Sequence, residues 1–234
     1  MFLLGTLVDG LLIAVGTILG KIFKDIPENM KSTLMYALSV AIMILGVQMG
    51  MQTTQFLVVI ISLVFGTVIG EYIDLENKLN MLGSKLEKVM GPNSSNNISQ
   101  AFITSTLIFV IGAMGIIGAL DSGIRGDHGI LYTKGILDGF LALILTTTLG
   151  IGVIFSAFSV IVYQGSIALF ATQINKFVPP EALDIFINEV TATGGVMILA
   201  IGLNLSGITK IRVANMLPSV LVTAFIVWIM HIFM

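Results

Sequence analysis

The run Phe56-Leu57-Val58-Val59-Ile60-Ile61-Ser62-Leu63-Val64-Phe65 decides the structural class of this chain. Its apolar residues are continuous, whereas a strand of a transmembrane barrel would alternate apolar with polar residues. Uncharged stretches of this kind recur along the sequence, and about 20 apolar residues cross a bilayer as one helix. The sequence therefore predicts an all-α polytopic membrane protein.

The amino-acid composition agrees with a chain that lies almost wholly in lipid. Apolar residues make up 56% of the chain, charged residues make up 10%, and the mean hydropathy is +1.04. A soluble domain carries about 25% charged residues. The net charge of -2 gives no indication of a nucleic-acid partner. Cysteine is absent, which excludes disulfides, thiol catalysis and iron–sulfur ligation.

The positions of the charged residues divide the chain into about eight predicted transmembrane helices. The first is expected to be a retained span rather than a cleaved signal peptide, because its first basic residue is Lys21. The uncharged run Gly139–Asn175 would rise about 55 Å as one helix, against a hydrocarbon core of about 30 Å. We therefore predict a turn near Ser156–Ser159, with a span plus a re-entrant hairpin as the alternative. The predicted spans are Phe2–Gly20, Thr33–Gln52, Gln55–Ile69, Ala101–Leu120, two within Gly139–Asn175, Val190–Thr209 and Val213–Met234.

One further helix is predicted to lie on the membrane surface. Leucines at helical spacing alternate with charged residues through Leu75–Met90, which is typical of an amphipathic interfacial helix. The polar run Gly91–Asn97 after it is the predicted hinge. We expect one transmembrane domain over residues 1–234. It comprises a first repeat (1–74), the amphipathic helix and hinge (75–97), central spans (98–158) and a second repeat (159–234).

The basic residues predict the orientation of the chain in the cell membrane. With the N-terminus outside, the predicted inner links carry most of them: Lys21, Lys24, Lys31, Lys78, Lys85, Lys88, Lys210 and Arg212. The predicted outer links carry Arg125, Lys134 and Lys176. Because cytoplasmic loops are enriched in Lys and Arg, we expect a plasma-membrane protein with both termini outside.

Shared polar landmarks predict an inverted repeat of spans 1–3 in spans 6–8. A Pro-Glu pair occurs at Pro27 and at Pro180, and Gly46-Val47-Gln48 aligns with Gly202-Leu203-Asn204. Gly16 and Gly165 are a further match. Since the two copies would begin on opposite sides of the membrane, they would form the arrangement found in many secondary transporters. A competing match of Val8–Leu12 with Leu137–Leu141 pairs span 1 with span 5 instead.

Polar residues inside the predicted spans are the first candidates for function, because ionisable groups are costly in lipid. Asp9 and Asp138 are interpreted as a proton or cation site, with solvated interfacial carboxylates as the alternative. We expect Asp9 to lie in a protein-lined or hydrated pocket rather than face lipid. Glu189, just before span 7, is interpreted in the same two ways, as part of a proton or cation site or as a solvated interfacial carboxylate. The candidate substrate- or ion-binding residues are Asp9, Gln48, Asn204, Asp138, Gln164 and Asn215.

Gln48 and Asn204 are uncharged and both donate and accept hydrogen bonds. They are interpreted either as lining a substrate site at the repeat axis or as contacts that hold helices together.

The polar link after span 4 is a candidate gate or outer loop. Its candidate residues are Asp121, Arg125, Asp127, His128 and Lys134. The adjacent Asp127 and His128 do not have a recognised metal-ligand spacing. The sequence therefore predicts no metal site, and nothing in it indicates a cofactor.

Several strings, in order along nearly the whole chain, resemble the prokaryotic integral membrane proteins of domain-of-unknown-function family 554. The resemblance implies a membrane protein and carries over no activity. The strings are Gly5-Thr-Leu-Val-Asp-Gly10, Gly126-Asp-His128, Leu131-Tyr-Thr-Lys134, Leu137-Asp-Gly139, Tyr163-Gln-Gly165, Gly202-Leu-Asn-Leu205 and Ile211-Arg-Val-Ala-Asn-Met-Leu-Pro218.

The sequence favours a secondary transporter or channel for a small solute or ion. The alternative is a membrane scaffold or regulatory subunit without transport activity, in which the polar groups hold helices together. An enzyme is not expected, because the sequence shows no nucleophile–base set and no phosphate-binding loop. The expected partners are the lipid bilayer and the solute, and the glycine-rich helix faces are compatible with a homo-oligomer.

Overall fold

The computed structural model describes residues 2–22, 27–90 and 98–233. Across these residues the chain is helical and contains no β-strand. The helices are α1 (Leu4–Ile22), α2 (Glu28–Gly50), α3 (Phe56–Ile73), α4 (Leu75–Met90), α5 (Ile98–Val110), α6 (Ala113–Ile124), α7 (Gly129–Leu149), α8 (Ile154–Phe177), α9 (Pro180–Leu205) and α10 (Pro218–Phe233).

The lengths and hydropathy of these helices confirm the predicted all-α membrane class. In the described part of the chain, seven helical segments are long and apolar enough to cross a bilayer, and the pair α5–α6 adds an eighth if it counts as one span. Helix α4 has the bounds predicted for the amphipathic helix. The predicted hinge Gly91–Asn97 lies outside the described residues.

The predicted fourth span is broken rather than continuous. Helices α5 and α6 are bent by 63° at Ile111 and Gly112, and Gly112 has a φ of +151°, a conformation that favours glycine. Despite the bend, the pair runs parallel to α8 and follows it through its length, which favours a broken span over a re-entrant loop. The neighbouring positions are Ile98 and Gly152, Thr106 and Ser159, Gly115 and Gln164, and Gly123 and Ala168.

Two predicted boundaries around α7 were wrong. Helix α7 begins at Gly129, so Lys134 lies within the span and not in the outer link. The chain turns at Gly150, which has a φ of +93°, and not near Ser156–Ser159. Glycine adopts this backbone conformation without the steric cost that other residues carry, so the turn falls at Gly150.

A proline sets one boundary that the hydropathy pattern misplaced. Helix α9 begins at Pro180, ten residues before the predicted Val190, and therefore includes Glu189. The last span begins at Val213 as predicted, with a short 3-10 helix (Val213–Met216) before α10, which begins at Pro218. Proline is favoured in the first turn of a helix, where its missing N–H has no partner to lose.

The helices pack as two compact units. The first comprises Met1–Leu34, Asn80–Val110 and Met114–Phe177. In it, α1 packs against α7 and α8. Positions Gly5, Asp9 and Gly20 of α1 lie beside Leu131, Gly135 and Leu143 of α7, so these two helices are parallel. Helix α8 is antiparallel to α1.

The second unit comprises Met35–Leu79, Ile111–Ala113 and Val178–Met234. Helix α9 is the most buried span of this unit: 72% of its most apolar stretch is buried inside the protein. Helix α2 is antiparallel to α9, and α3 is antiparallel to α10. Two close approaches define the second pairing: Gly66 meets Ser219 and Gly70 meets Asn215.

Candidate functional site

The first unit contains a buried cluster of charged and polar side chains at the contact of α1, α7 and α8. Asp9 and Gln164 have 0% of their surface exposed, Lys134 has 6% and Asp138 has 8%. The Lys134 ammonium bonds both carboxylates, that of Asp9 at 3.1 Å and that of Asp138 one helical turn away. Asp9 therefore lies in a protein-lined pocket, as predicted.

The carboxylate of Asp9 is only partly satisfied. Its Oδ2 accepts hydrogen bonds from Nε2 of Gln164 at 2.7 Å and from Nζ of Lys134 at 3.1 Å. Its Oδ1 has no hydrogen-bond partner among the described residues, and neither does Oε1 of Gln164. Oγ1 of Thr6, one turn earlier on α1, is also buried without a partner in this part of the structure. Buried polar atoms normally have partners, so three unpaired oxygens on α1 and α8 are unusual.

Glycines bring these helices close enough for the side chains to meet. A Cβ on Gly135 would lie 2.9 Å from Cα of Asp9, and one on Gly16 would lie 2.0 Å from the carbonyl oxygen of Gly139. On the other side of α1, a Cβ on Gly10 would lie 2.5 Å from Ile161. The small residues thus allow α1 to approach α7 and α8 closely, as small residues do between membrane helices.

The first turn of α6 lies next to the cluster. A Cβ on Gly115 would lie 3.6 Å from Cε of Lys134 and 3.8 Å from Nε2 of Gln164. Gly115 is the third residue of α6, so the first turn of this helix lies beside the cluster. The free N–H groups and dipole of a helix N-terminus favour nearby negative charge.

The four side chains could bind a small ion or a proton. Two carboxylates face one ammonium, so the fully ionised cluster carries one excess negative charge. Burying an uncompensated charge is costly, and insertion scales give about 2.5–3.5 kcal/mol for a charged residue at the centre of a bilayer. One added positive charge would make the cluster neutral.

An apolar groove of about 310 Å³ lies between α1 and α8 beside this cluster. Thr6 and Gly165, the neighbours of the cluster on the two helices, are part of its lining. The remaining lining residues are Phe2, Leu3, Leu7, Ile161, Val162, Ser166 and Leu169.

The other residues of the predicted gate hold the loop before α7 in place. Asp121 pairs with Arg125 at 3.5 Å. Oδ1 of Asp127 accepts the N–H of Gly129 at 2.9 Å. Nδ1 of His128 lies 2.8 Å from the hydroxyl of Ser122, which donates to the carbonyl of Phe2. These bonds fix the start of α7, and Lys134 lies apart from them, within the cluster.

The structure does not bring Gln48 and Asn204 together. Gln48 is exposed near the end of α2, beside the part of α9 around Gly195. The carboxamide of Asn204 shapes the loop after α9: its Nδ2 donates to the carbonyl of Ile211, and its Oδ1 accepts from Thr209 and from the N–H of Ile211. Gln48 and Asn204 each lie near the C-terminal end of their helix. Because α2 and α9 are antiparallel, the two side chains lie toward opposite ends of this helix pair.

Asn215 joins the segment before α10 to the start of α4. Its Oδ1 accepts the N–H of Glu76 at 2.7 Å, while its Nδ2 is buried without a partner among the described residues. Arg212 bonds Glu71 at 2.7 Å and also Asp74. The hydrogen bond from Asn77, together with Arg212, lowers the pKa of the Asp74 carboxyl below its usual value. These bonds fix the α3–α4 turn.

Lys134 and Glu189 were candidates from the sequence, but their partners were not predicted. Lys134 and Asp138 are four residues apart, a spacing that places both on one face of a helix, and this signal was available in the sequence. Glu189 is fully buried in the second unit and accepts bonds from Thr53, Thr54 and Gln55 between α2 and α3. That pairing spans more than a hundred residues, so no local pattern indicates it.

Comparison with known proteins finds relatives along nearly the full chain. The family model "Protein of unknown function (DUF554)" matches residues 4–228. The chain is 33% identical to the uncharacterized membrane protein YdfK of Bacillus subtilis, with 98% of this chain and 97% of that protein covered. It is 26% identical to the uncharacterized protein YqgA of Escherichia coli, with 93% of each covered. No solved structure matches.

Proposed function

The chain belongs to the DUF554 family of membrane proteins, and we propose that it is a secondary transporter or channel for a small solute or ion in the cell membrane. One observation carries the proposal: the buried cluster of Asp9, Lys134, Asp138 and Gln164. Ionisable residues within membrane spans are rare, and they commonly mark substrate or ion pathways. Two acceptors of the cluster, Oδ1 of Asp9 and Oε1 of Gln164, have no donor among the described residues and are available to a ligand.

The broken span beside the cluster supports a transport function. Transporters commonly form their binding sites from discontinuous helices, whose free backbone ends face the bound ion or solute. Irregular backbone at membrane depth is tolerated where protein buries it or where it lines a cavity. The break at Gly112 places the N-terminus of α6 at the level of Gln164, roughly midway along α8.

Reciprocal helix contacts support an inverted repeat of α1–α3 in α8–α10. If Gly46 corresponds to Gly202, then Met43 corresponds to Leu199. The close approach of Gly46 to Leu199 then has its counterpart in that of Gly202 to Met43. When a twofold axis relates two antiparallel helices, each contact occurs twice, with the two residues exchanged between the helices.

Within the first unit, contacts of the same kind relate α1 and α8. Gly10 approaches Ile161, and Gly165 approaches Thr6. This favours aligning Gly165 with Gly10 rather than with Gly16, and it makes Asp9 the counterpart of Gln164. Helices α1 and α7 are parallel, whereas counterparts in an inverted repeat of this kind are antiparallel, so the competing match of span 1 with span 5 is disfavoured.

Flux measurements on purified protein in liposomes test the proposal. The panel comprises H⁺, Na⁺, K⁺ and small neutral, anionic and zwitterionic solutes, with empty liposomes as the baseline. We expect at least one member to cross faster in the presence of the protein. We expect Asp138→Asn to reduce that flux about tenfold, which corresponds to about 1.4 kcal/mol, while Asp184→Asn, at an exposed position of α9, leaves it unchanged.

A membrane scaffold without transport activity makes the opposite prediction. It requires that liposomes containing folded protein stay as impermeable as empty ones to the whole panel. That result would reject the transport proposal.

A further inference from the structure

Two acceptor oxygens of the cluster are available for a further hydrogen bond. Oδ1 of Asp9 and Oε1 of Gln164 are both buried acceptors without a donor in the described structure. The two side chains are already joined by the 2.7 Å bond from Nε2 of Gln164 to Oδ2 of Asp9. A carboxylic acid and a carboxamide that share one such bond form a second if the acid carries its proton on the other oxygen.

The charge of the cluster also favours one added proton. Asp9 and Asp138 share the single ammonium of Lys134, and a proton would cancel the remaining negative charge. The charged groups facing Asp9 are Lys134 and Asp138 from α7. Helix α8 contributes the uncharged Gln164, α6 contributes Gly115, and the turn Ile151–Val153 carries no titratable side chain.

A metal cation fits this cluster less well than a proton does. The ammonium of Lys134 is 3.1 Å from Oδ2 of Asp9 and would repel a second cation at the same carboxylate. A proton on Oδ1 needs no additional volume, and its O–H would provide a donor for Oε1 of Gln164.

We infer that Asp9 and Gln164 form a proton-binding site, in which Oδ1 of Asp9 takes up a proton and donates it in a hydrogen bond to Oε1 of Gln164. The proton comes from the aqueous phase, and only the O–H bond forms. The inference rests on the proposed transport function, to which it adds the coupling ion: the solute moves together with, or in exchange for, a proton carried by Asp9.

The variant Asp9→Asn separates a proton site from a fixed ion pair. Its carboxamide can accept from Lys134 and Gln164 through one atom and donate to Oε1 of Gln164 through the other, so it reproduces the protonated acid but cannot exchange a proton. We expect it to fold with a Tm equal to or above that of the wild type. If Asp9 were needed only as the permanent anionic partner of Lys134, the same change would lower the Tm or prevent folding, and either result would overturn the inference.

Proton flux provides the second measurement. Liposomes containing the protein and the internal dye pyranine are given a potassium diffusion potential with valinomycin, with and without the solutes of the panel. We expect the wild type to acidify faster than empty liposomes and Asp9→Asn to match empty liposomes. Asp184→Asn, the same chemical change at an exposed position of α9, should behave as the wild type.

The outcomes distinguish the inference from the function on which it rests. Solute flux without proton movement, unchanged in Asp9→Asn, would overturn the proton site and leave the transport function standing. Flux that requires Na⁺ in place of choline and is unaffected by pH would replace the proton by a metal cation. Absence of all flux would reject the transport function itself, and the Tm of Asp9→Asn would still decide whether Asp9 is a fixed ion-pair partner.

Discussion

The buried carboxylate of Glu189 on α9 accepts the backbone N–H of Gln55, at 3.2 Å, at the start of α3. It also accepts the N–H of Thr54 at 3.1 Å and the hydroxyl of Thr53. A side chain inside one span thus binds the N-terminal end of another, where helix N–H groups have no partner within their own helix. Negative charge is favourable at this end of a helix.

Replacing Glu189 by alanine should therefore destabilise the second unit. The change removes the acceptor of the Thr54 N–H and one of the two acceptors of the Gln55 N–H, which keeps its bond to the hydroxyl of Thr53. Hydrogen bonds to a charged group contribute about 1.5–3 kcal/mol. We expect a lower Tm for Glu189→Ala in detergent or nanodiscs. Glu181→Ala, at an exposed position in the first turn of the same helix, is the matched control. Equal stability of the two variants would show that Glu189 does not hold the start of α3.

Gly70 should not tolerate a side chain. A Cβ at this position would lie 1.8 Å from the carbonyl oxygen of Asn215, whereas a Cβ at Gly50 meets nothing within 4 Å. We expect Gly70→Ala to push α3 away from the segment before α10 and to lower stability by about 1–3 kcal/mol, as overpacking does. Gly50→Ala should leave the Tm within experimental error. If the two variants have the same Tm, the close contact of α3 with Asn215 is not formed.

Asn204 and Gln48 should respond differently to the same substitution. Asn204→Leu removes the donor and acceptors that hold the loop at Thr209 and Ile211, so we expect a loss of about 1–2 kcal/mol. Gln48→Leu changes an exposed position on α2 and should leave stability unchanged. Thermal unfolding measures both. A loss of solute flux in either variant without a loss of stability would instead support the carboxamides as ligand groups.

The predicted orientation can be tested with single cysteines, because the sequence contains none. With the N-terminus outside, Ser95 faces the cytoplasm and Gln52, between α2 and α3, faces outward, as the distribution of basic residues favours. In intact cells an impermeant thiol reagent should label Gln52→Cys and leave Ser95→Cys unlabelled until the cells are permeabilised. The reverse labelling pattern would invert the topology. Ser95 lies outside the described residues, so only the sequence argument places it.

Local sequence patterns predicted the helices well where hydrophobicity alone determines their position. The run Phe56–Phe65 is a helix, α4 has its predicted bounds, and Asp9 is buried in protein. Predictions failed where a backbone conformation or a proline outweighed hydropathy. Gly112 breaks the fourth span, Gly150 ends α7 early, and Pro180 starts α9 ahead of the apolar segment. Each failure follows from a single residue. The mean hydropathy over about 20 positions, the length of one span, does not show the effect of that residue on the backbone.

By itself, the sequence determined that this chain is a helical membrane protein and that its few intramembrane charges require partners, because charged groups are costly in lipid whatever the fold. Only the tertiary structure decided which partners they have. Asp9 meets Gln164 because Gly10 lets α8 approach α1, and it meets Lys134 because Gly135 admits α7. Helix periodicity fixes which residues share a face. The pairing of faces far apart in sequence depends on how closely whole helices pack. This packing also left Oδ1 of Asp9 without a partner among the described residues.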